Sequence, residues 1–279
     1  MLIDAFTFNN ELELLEIRLN ELDSIVDRFV IVESMESHGS SYRKPAAVLS
    51  ENWNVVRPFL NKIVYLVLAN LMPPLENTDC IWPRENFHRN ALMPEILGVS
   101  TSPNDIVMIS DCDEIPRAKT VWEHLGKFQH GLHALNQDFF YYDVNNNVGK
   151  WNGTVVGTVA AIQNAGGPQA VRLKRDSVPS IPNAGWHLSY FGSLENIRSK
   201  VANFAHSNDT TSKEFLVRDN KEIVSDILSG KDLFHRGSEG RRDYWQSNDP
   251  RLPVHFLNNQ EKYKLFTEEG LREVLCPAI

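Results

Sequence analysis

No apolar run in the sequence approaches the roughly 20 residues that a membrane-crossing helix needs. The longest candidate, Ile63 to Leu68, is strand-sized. The expectation is therefore no transmembrane segment, with peripheral contact the one mode left open at a membrane. Met1 is followed at once by Leu2-Ile3-Asp4-Ala5-Phe6, an expected strand, which leaves no room for a secretory leader. No basic tract of useful length interrupts a chain of formal charge −8, so a nucleic-acid backbone is excluded as the main partner. Cysteine is scarce. Cys80, Cys112 and Cys276 lack metal-ligand spacing and leave an odd count, so reduced thiols in a cytoplasmic protein are expected. No G-x-G-x-x-G follows the first strand and there is no Walker A sequence, which lowers both dinucleotide binding and P-loop chemistry. Internal repeats and low-complexity segments are also missing.

What is present is 279 residues with 42% hydrophobic content, enough to bury a substantial core. The first 130 residues alternate strand and helix. Asn10 is placed to cap a helix running through Glu21, with Glu13 completing a capping box and Leu12, Leu15, Leu19 and Leu22 as its buried stripe. Strands are expected at 28–33 and 62–68, and a helix from Trp82 to Leu97 that Pro94 bends or ends early. A fourth strand, 105–110, precedes a helix that Pro116 opens, with Val121, Trp122 and Leu125 helically spaced. Beyond His130 the pattern becomes β-rich at 139–142, 155–162 and 170–174. A helix capped by Ser193, another over 213–228 closed by Gly230, and a short one near 268–275 follow. The fold class is α/β: a single domain over 1–279, with a mostly parallel sheet flanked by helices, a β-rich extension and a helical C-terminal part.

The stretch DIVMISDCDEIPR, 105–117, organises the chain. A fully apolar strand delivers Asp111 and Asp113 to its carboxyl end, where open α/β sheets bind ligands. Two carboxylates one residue apart repel unless a cation sits between them, and hard oxygen donors favour Mg²⁺ or Mn²⁺ completed by substrate phosphate oxygens. Cys112, pointing the other way, reads as packing. A nucleotide base and ribose fit across the ends of the first two strands, at Phe8, Asn10 and Glu33. Arg84 and His88 share one helix face, and the planar fork of Arg84 suits a diphosphate. His187, beside Trp186, is an imidazole ligand or phosphate partner for the acid pair, with His206 competing.

In combination, Phe8-Asn9-Asn10-Glu11, Leu14 to Leu19, Phe29 to Ser34, Arg84-Glu85-Asn86-Phe87, Ile109 to Arg117 and Gly185-Trp186-His187 resemble glycosyltransferase family 17. That family includes the β-1,4-mannosyl-glycoprotein β-1,4-N-acetylglucosaminyltransferases. The resemblance implies a GT-A-like, metal-dependent, inverting enzyme with a UDP-sugar donor, its nucleotide-binding half over 1–130 and its acceptor-binding half over 131–279. Asp111 and Asp113 then hold Mn²⁺ or Mg²⁺ on the donor diphosphate, with Arg84 and Glu33 along the nucleotide. Animal members carry a membrane anchor; none is expected here, so the expected acceptor is a lipid-linked or cell-surface glycan. N-acetylglucosamine is the expected sugar. Asp143, after Tyr141-Tyr142 at a strand end where acceptor sugars stack, is the choice of general base over Asp138, Glu195 and Asp209. Two other classes are open: a haloacid-dehalogenase-like phosphatase with Asp111 as nucleophile, although Ile115 stands where that motif wants Thr or Val, and a non-catalytic glycan-binding module.

Overall fold

The computed structural model describes residues 1–38, 42–69, 82–203, 210–234 and 243–275. Its centre is one mixed sheet. The strands are β1 (Leu2–Phe8), β2 (Arg28–Ser34), β3 (Ile63–Leu68), β4 (Ile106–Asp111), β5 (Glu114–Pro116), β6 (His133–Tyr141), β7 (Asn146–Thr158), β8 (Ser180–Ile181), β9 (Gly185–Ser189) and β10 (Asp243–Tyr244). Their order is β3-β2-β1-β4-β7-β6-β9-β5, with β8 on β6 and β10 on β7. β3, β2, β1 and β4 are parallel, β4 meets β7 antiparallel, and β6 and β9 run parallel. The expected parallel half and β-rich extension are thus one continuous sheet.

Alternation along the central strands sorts side chains into two cores, because successive residues point to opposite faces. Leu2, Phe6, Phe8, Phe29, Ile31 and Met108 pack with Leu15, Leu19 and Leu22 of α1 (Leu12–Leu22). Ile3, Ala5, Val30, Val32, Val107 and Ile109 pack on the other face. A short α2 (Val48–Glu51) lies between β2 and β3. The expected 82–97 helix is two, α3 (Trp82–Asn90) and α4 (Leu92–Val99), with Pro94 in the first turn of α4, where its missing N–H has no intrahelical partner to lose. Leu92 and Ile96 cover the second core.

Several expectations are corrected. Pro116 ends β5 rather than opening a helix. α5 (Ala118–His124) starts two residues later, and its Trp122 is 62% exposed. Asn10 does not cap α1; the position before the helix is Glu11, whose Oε2 instead accepts from the backbone N–H of Asn9 and Asn10. After β7 the chain forms α6 (Val159–Asn164), and the 170–174 stretch is helical, as α7 (Pro168–Arg172). The reason is local: Pro168 stands at the first helical position behind Gly167, at φ 94°. The C-terminal part adds α8 (Leu194–Asn203), α9 (Thr210–Val217), α10 (Asn220–Leu228), α11 (Val254–Asn258) and α12 (Glu268–Leu275). Ser193 accepts from the Asn196 N–H at the start of α8, as expected. The 213–228 helix is interrupted: Asp219 caps α10 afresh. Phe204, His206, Asp209, Cys80 and Cys276 lie outside the described residues.

Candidate active site

The site is built on the acid loop that follows β4. β1 has β2 on one side and β4 on the other, so the connections leave in opposite directions and the switch point of the sheet, where open α/β sheets bind ligands, lies beyond Thr7 and Asp111, which are paired in register. Arg18 supports the loop from below. Its side chain is fully buried, its guanidinium 4.2 Å over the Phe6 ring, and it forms a two-bonded ion pair with Asp4 at 2.6 and 2.8 Å. Its remaining donors reach Ser110 Oγ at 2.6 Å and the carbonyls of Asp111, Cys112 and Glu114 at 3.0, 3.3 and 2.8 Å. A planar fork with five donors satisfies three loop carbonyls that water does not reach. Cys112 packs into the core below the loop and is a free thiol.

The three acids of the loop have separate surroundings. Glu114 is fully buried: one oxygen accepts from the Asp111 N–H, the other from Trp151 Nε1 at 2.7 Å and from Arg172. Asp111 is the most open, with 31% of its side chain exposed. Thr7 Oγ1 and Arg89 donate to its Oδ1 at 3.1 and 3.0 Å, and Arg172 to its Oδ2 at 3.1 Å. Burial alone raises such a carboxyl, but Arg89 and Arg172 outweigh it and hold Asp111 well below the usual range. Asp113 is buried beside Lys200, whose Nζ lies 2.6 Å from Oδ2; its Oδ1 faces His187 Nε2 at 3.7 Å. Here too burial raises the carboxyl, and Lys200 and His187 pull it below its ordinary value. His187 stacks on Phe139, centroids 4.6 Å apart and planes 3° from parallel, and its Nδ1 is buried with no hydrogen-bond partner.

The expected nucleotide contacts do not gather here. Phe8 is 1% exposed and belongs to the core under α1. Glu33 is fully buried and holds the 44–49 segment: it accepts from Lys44 Nζ, the Val48 and Leu49 N–H groups and Tyr65 OH at 2.7 to 3.2 Å. Arg84 is buried and donates to the Ser37 carbonyl at 2.9 Å, with Glu36 at 3.9 Å. Asn10 lines a cleft with Glu11, Leu14, Phe191, Asn196 and Lys200. Asp143 is a buried turn residue, 1% exposed, accepting from the Asn145 N–H, so it does not present its carboxylate to an acceptor. Tyr141 and Tyr142 are buried as well; the partly exposed aromatics near His187 are Phe139 and Trp151.

Sequence reasoning missed Arg89, Arg172 and Lys200. Glu85 and Arg89 have the i,i+4 spacing of a surface pair; that bond exists at 2.9 Å, but Arg89 is buried and also grips Asp111. Arg172 was placed on a strand, where the Gly-Gly-Pro start of α7 was the available signal. Lys200 carried no local signal, since only the packing of α8 brings it to Asp113.

A divalent cation fits one part of this arrangement. Among the described residues, no group of three or more His, Cys, Asp or Glu side chains is placed to hold a metal ion. Asp111, expected as a ligand, is committed to two arginines and a threonine. Asp113 Oδ1 and His187 Nε2 face each other without a hydrogen bond, and both bring donor types that accept Mg²⁺ or Mn²⁺. Any ion there needs further oxygens from a substrate. Within the ion pairs of the site, five carboxylates (Glu11, Glu85, Asp111, Asp113 and Glu114) stand against three permanent cations, Arg89, Arg172 and Lys200, which leaves a surplus a divalent ion offsets.

A family model described as Glycosyltransferase family 17 matches residues 1–240. The chain belongs to glycosyltransferase family 17. Among curated proteins it is similar to the beta-1,4-mannosyl-glycoprotein 4-beta-N-acetylglucosaminyltransferases of Rattus norvegicus and Homo sapiens. It is 23% and 25% identical to them over an alignment 316 positions long with gaps, which covers 97% of this chain and 55% and 56% of theirs. The chain thus spans about half the length of the curated relatives it matches. Among solved structures it is similar to glucosyl-3-phosphoglycerate synthase from Mycobacterium tuberculosis in complex with UDP, at 14% identity and TM-score 0.38, covering 71% of this chain and 74% of that one. The inositol-1-phosphate CTP transferase from T. maritima gives 13% identity and TM-score 0.37 over 72% and 92%. At such scores neither structure carries an argument, and the architecture rests on the strand order above. Family membership removes the phosphatase reading, which in any case needs a free carboxylate at Asp111.

Proposed function

We propose that this family 17 chain is a metal-assisted, inverting glycosyltransferase that moves N-acetylglucosamine from a UDP-sugar to a hydroxyl of a glycan or glycolipid. The family supports the reaction class, and the names of the curated relatives support the sugar. The observation that carries the reading is Asp113 facing His187 at 3.7 Å, on a loop that Arg18 fixes at the switch point of the sheet.

The work of the chain's own residues follows from their contacts. Arg18 and Glu114 set the loop before any substrate arrives, so no reorganisation is needed when charge develops on a leaving diphosphate. Arg89 and Arg172 keep Asp111 ionised at the carboxyl end of β4. Phe139 and Trp151 orient the His187 ring. Asp113 and His187 are the residues that would hold a divalent ion, which would supply Lewis acidity at the leaving diphosphate.

Calorimetric titration of UDP and UDP-N-acetylglucosamine, with Mn²⁺ or with EDTA, tests this. Binding is expected only with the metal, and not in Asp113→Asn. Sugar transfer that persists in EDTA and in that variant would sink the proposal.

A further inference from the structure

Lys200 lies where a donor's metal would compete for the same carboxylate. Its ammonium is 2.6 Å from Asp113 Oδ2, on the carboxylate whose other oxygen faces His187. A second carboxylate, Glu11, stands 3.8 Å from the same nitrogen, and both Lys200 and Glu11 line the cleft that continues past Asn10 and Asn196. The lysine side chain is 23% exposed, so it borders the cleft and is not sealed beneath it. Two acceptors within reach of one flexible four-carbon stem make a two-position element.

We propose that Lys200 is a tethered counter-ion for Asp113, exchanging places with the divalent cation: without nucleotide the ammonium holds Asp113, and when metal and diphosphate arrive together it moves to Glu11. This rests on the donor reading above and adds to it a coupling between the two ligands. The metal alone must displace a cation that already neutralises Asp113, and the diphosphate alone meets the surplus negative charge of the site. Each ligand removes the obstacle to the other. Linkage then requires that UDP raise Mn²⁺ affinity by the factor by which Mn²⁺ raises UDP affinity.

The free-Mn²⁺ electron paramagnetic resonance signal, titrated with and without UDP, reads this without any turnover. In the wild type, UDP is expected to raise Mn²⁺ affinity by about tenfold or more, within the usual range of coupling. Lys200→Met should bind Mn²⁺ alone on the order of tenfold tighter than wild type, because the competitor is gone, and keep a smaller UDP effect, because the diphosphate oxygens still complete the ion's coordination. Lys200→Arg should bind Mn²⁺ alone more weakly than wild type, since a guanidinium grips a carboxylate with two parallel bonds. A purely structural lysine would lower Mn²⁺ affinity in both variants, and that pattern overturns the inference. Should Lys200→Met not fold, Lys200→Gln takes its place: Mn²⁺ alone is expected to bind more tightly than to the wild type, and affinity at or below the wild-type value overturns the inference. A wild type that binds neither Mn²⁺ nor UDP removes the donor reading and the inference together. A wild type that binds both, with unchanged metal affinity in Lys200→Met, removes the inference only.

Discussion

Replacing Arg18 by methionine should separate the support of the site from the site itself. The change keeps most of the side-chain volume and removes the charge and every donor. Asp4 is then left buried and unpaired, and breaking a buried pair from one side costs about 3–5 kcal/mol. The carbonyls of Asp111, Cys112 and Glu114 lose their donor as well. Total stability of a natural domain is about 5–15 kcal/mol, so the single variant should remain folded but lose a large share, read as a lower urea midpoint. The decisive arm is the double variant Arg18→Met, Asp4→Leu. If Arg18 serves only Asp4, an apolar pair of similar volume restores stability, as such replacements often do. If it supports the acid loop, stranded carbonyls at about 1–3 kcal/mol each keep the double variant at least about 2 kcal/mol below wild type. Mn²⁺-dependent UDP binding should stay weak in it even where stability partly recovers. Full recovery of both stability and UDP binding would refute the support role.

Three further outcomes are expected. Asp113→Asn should abolish Mn²⁺-dependent UDP binding in calorimetry, whereas Asp111→Asn should chiefly lower the stability read from urea unfolding, by about 2 kcal/mol; this is less than a fully buried pair costs because Asp111 is partly exposed. The reverse assignment would show that Asp111 holds the ion. His38 Nε2 and His88 Nδ1 share one proton in a 3.0 Å hydrogen bond, and His88 Nε2 donates to the Val32 carbonyl. Burial, then neighbouring positive groups, push His38 down to about 4; burial, then His38, push His88 to about 3. The unfolded chain takes up protons near pH 6.5 that the folded chain refuses, so stability should fall as pH drops from about 6.5 toward 4, by up to about 1.4 kcal/mol per unit for each histidine. The lowered carboxylates Asp111 and Asp113 contribute their loss only below the ordinary carboxylate range, so an unchanged decline above pH 4 in His38→Gln, His88→Gln would sink the assignment. Gly185→Ala should cost more than about 1 kcal/mol and weaken UDP binding, since Gly185 has φ 145° and an added Cβ would lie 2.1 Å from the Ile115 carbonyl in the β5–β9 pairing that carries His187. Wild-type melting behaviour in that variant would count against the strain argument.

How far the sequence could be read depended on the range of the interaction. Apolar runs located β1 to β4, and the acid pair at the end of β4 was legible because a strand and its next residues are one local unit. The resemblance placed the chain in its family. Local rules failed where two codes overlapped. The 170–174 stretch carries β-branched and apolar residues, yet Gly166-Gly167-Pro168 sets a helix start. Glu33 and Phe8 stand at strand ends, as a nucleotide contact would, but their side chains are taken up by the core and by the 44–49 segment. Asp143 shows the same limit: an acid after an aromatic strand reads as a general base open to an acceptor, and the turn buries it.

By itself the sequence determined the apolar strands, the helix pattern on one face of the sheet and the carboxylates that follow β4, because each depends on neighbours a few residues away. Only the tertiary structure decided which cation meets which acid. Arg18, Arg89, Arg172 and Lys200 come from four different helices and reach the loop across 93, 22, 61 and 87 residues of chain. A buried carboxylate takes its character from whatever charge packing brings within a few ångströms, and that distance is set by how the helices dock, which no local spacing encodes.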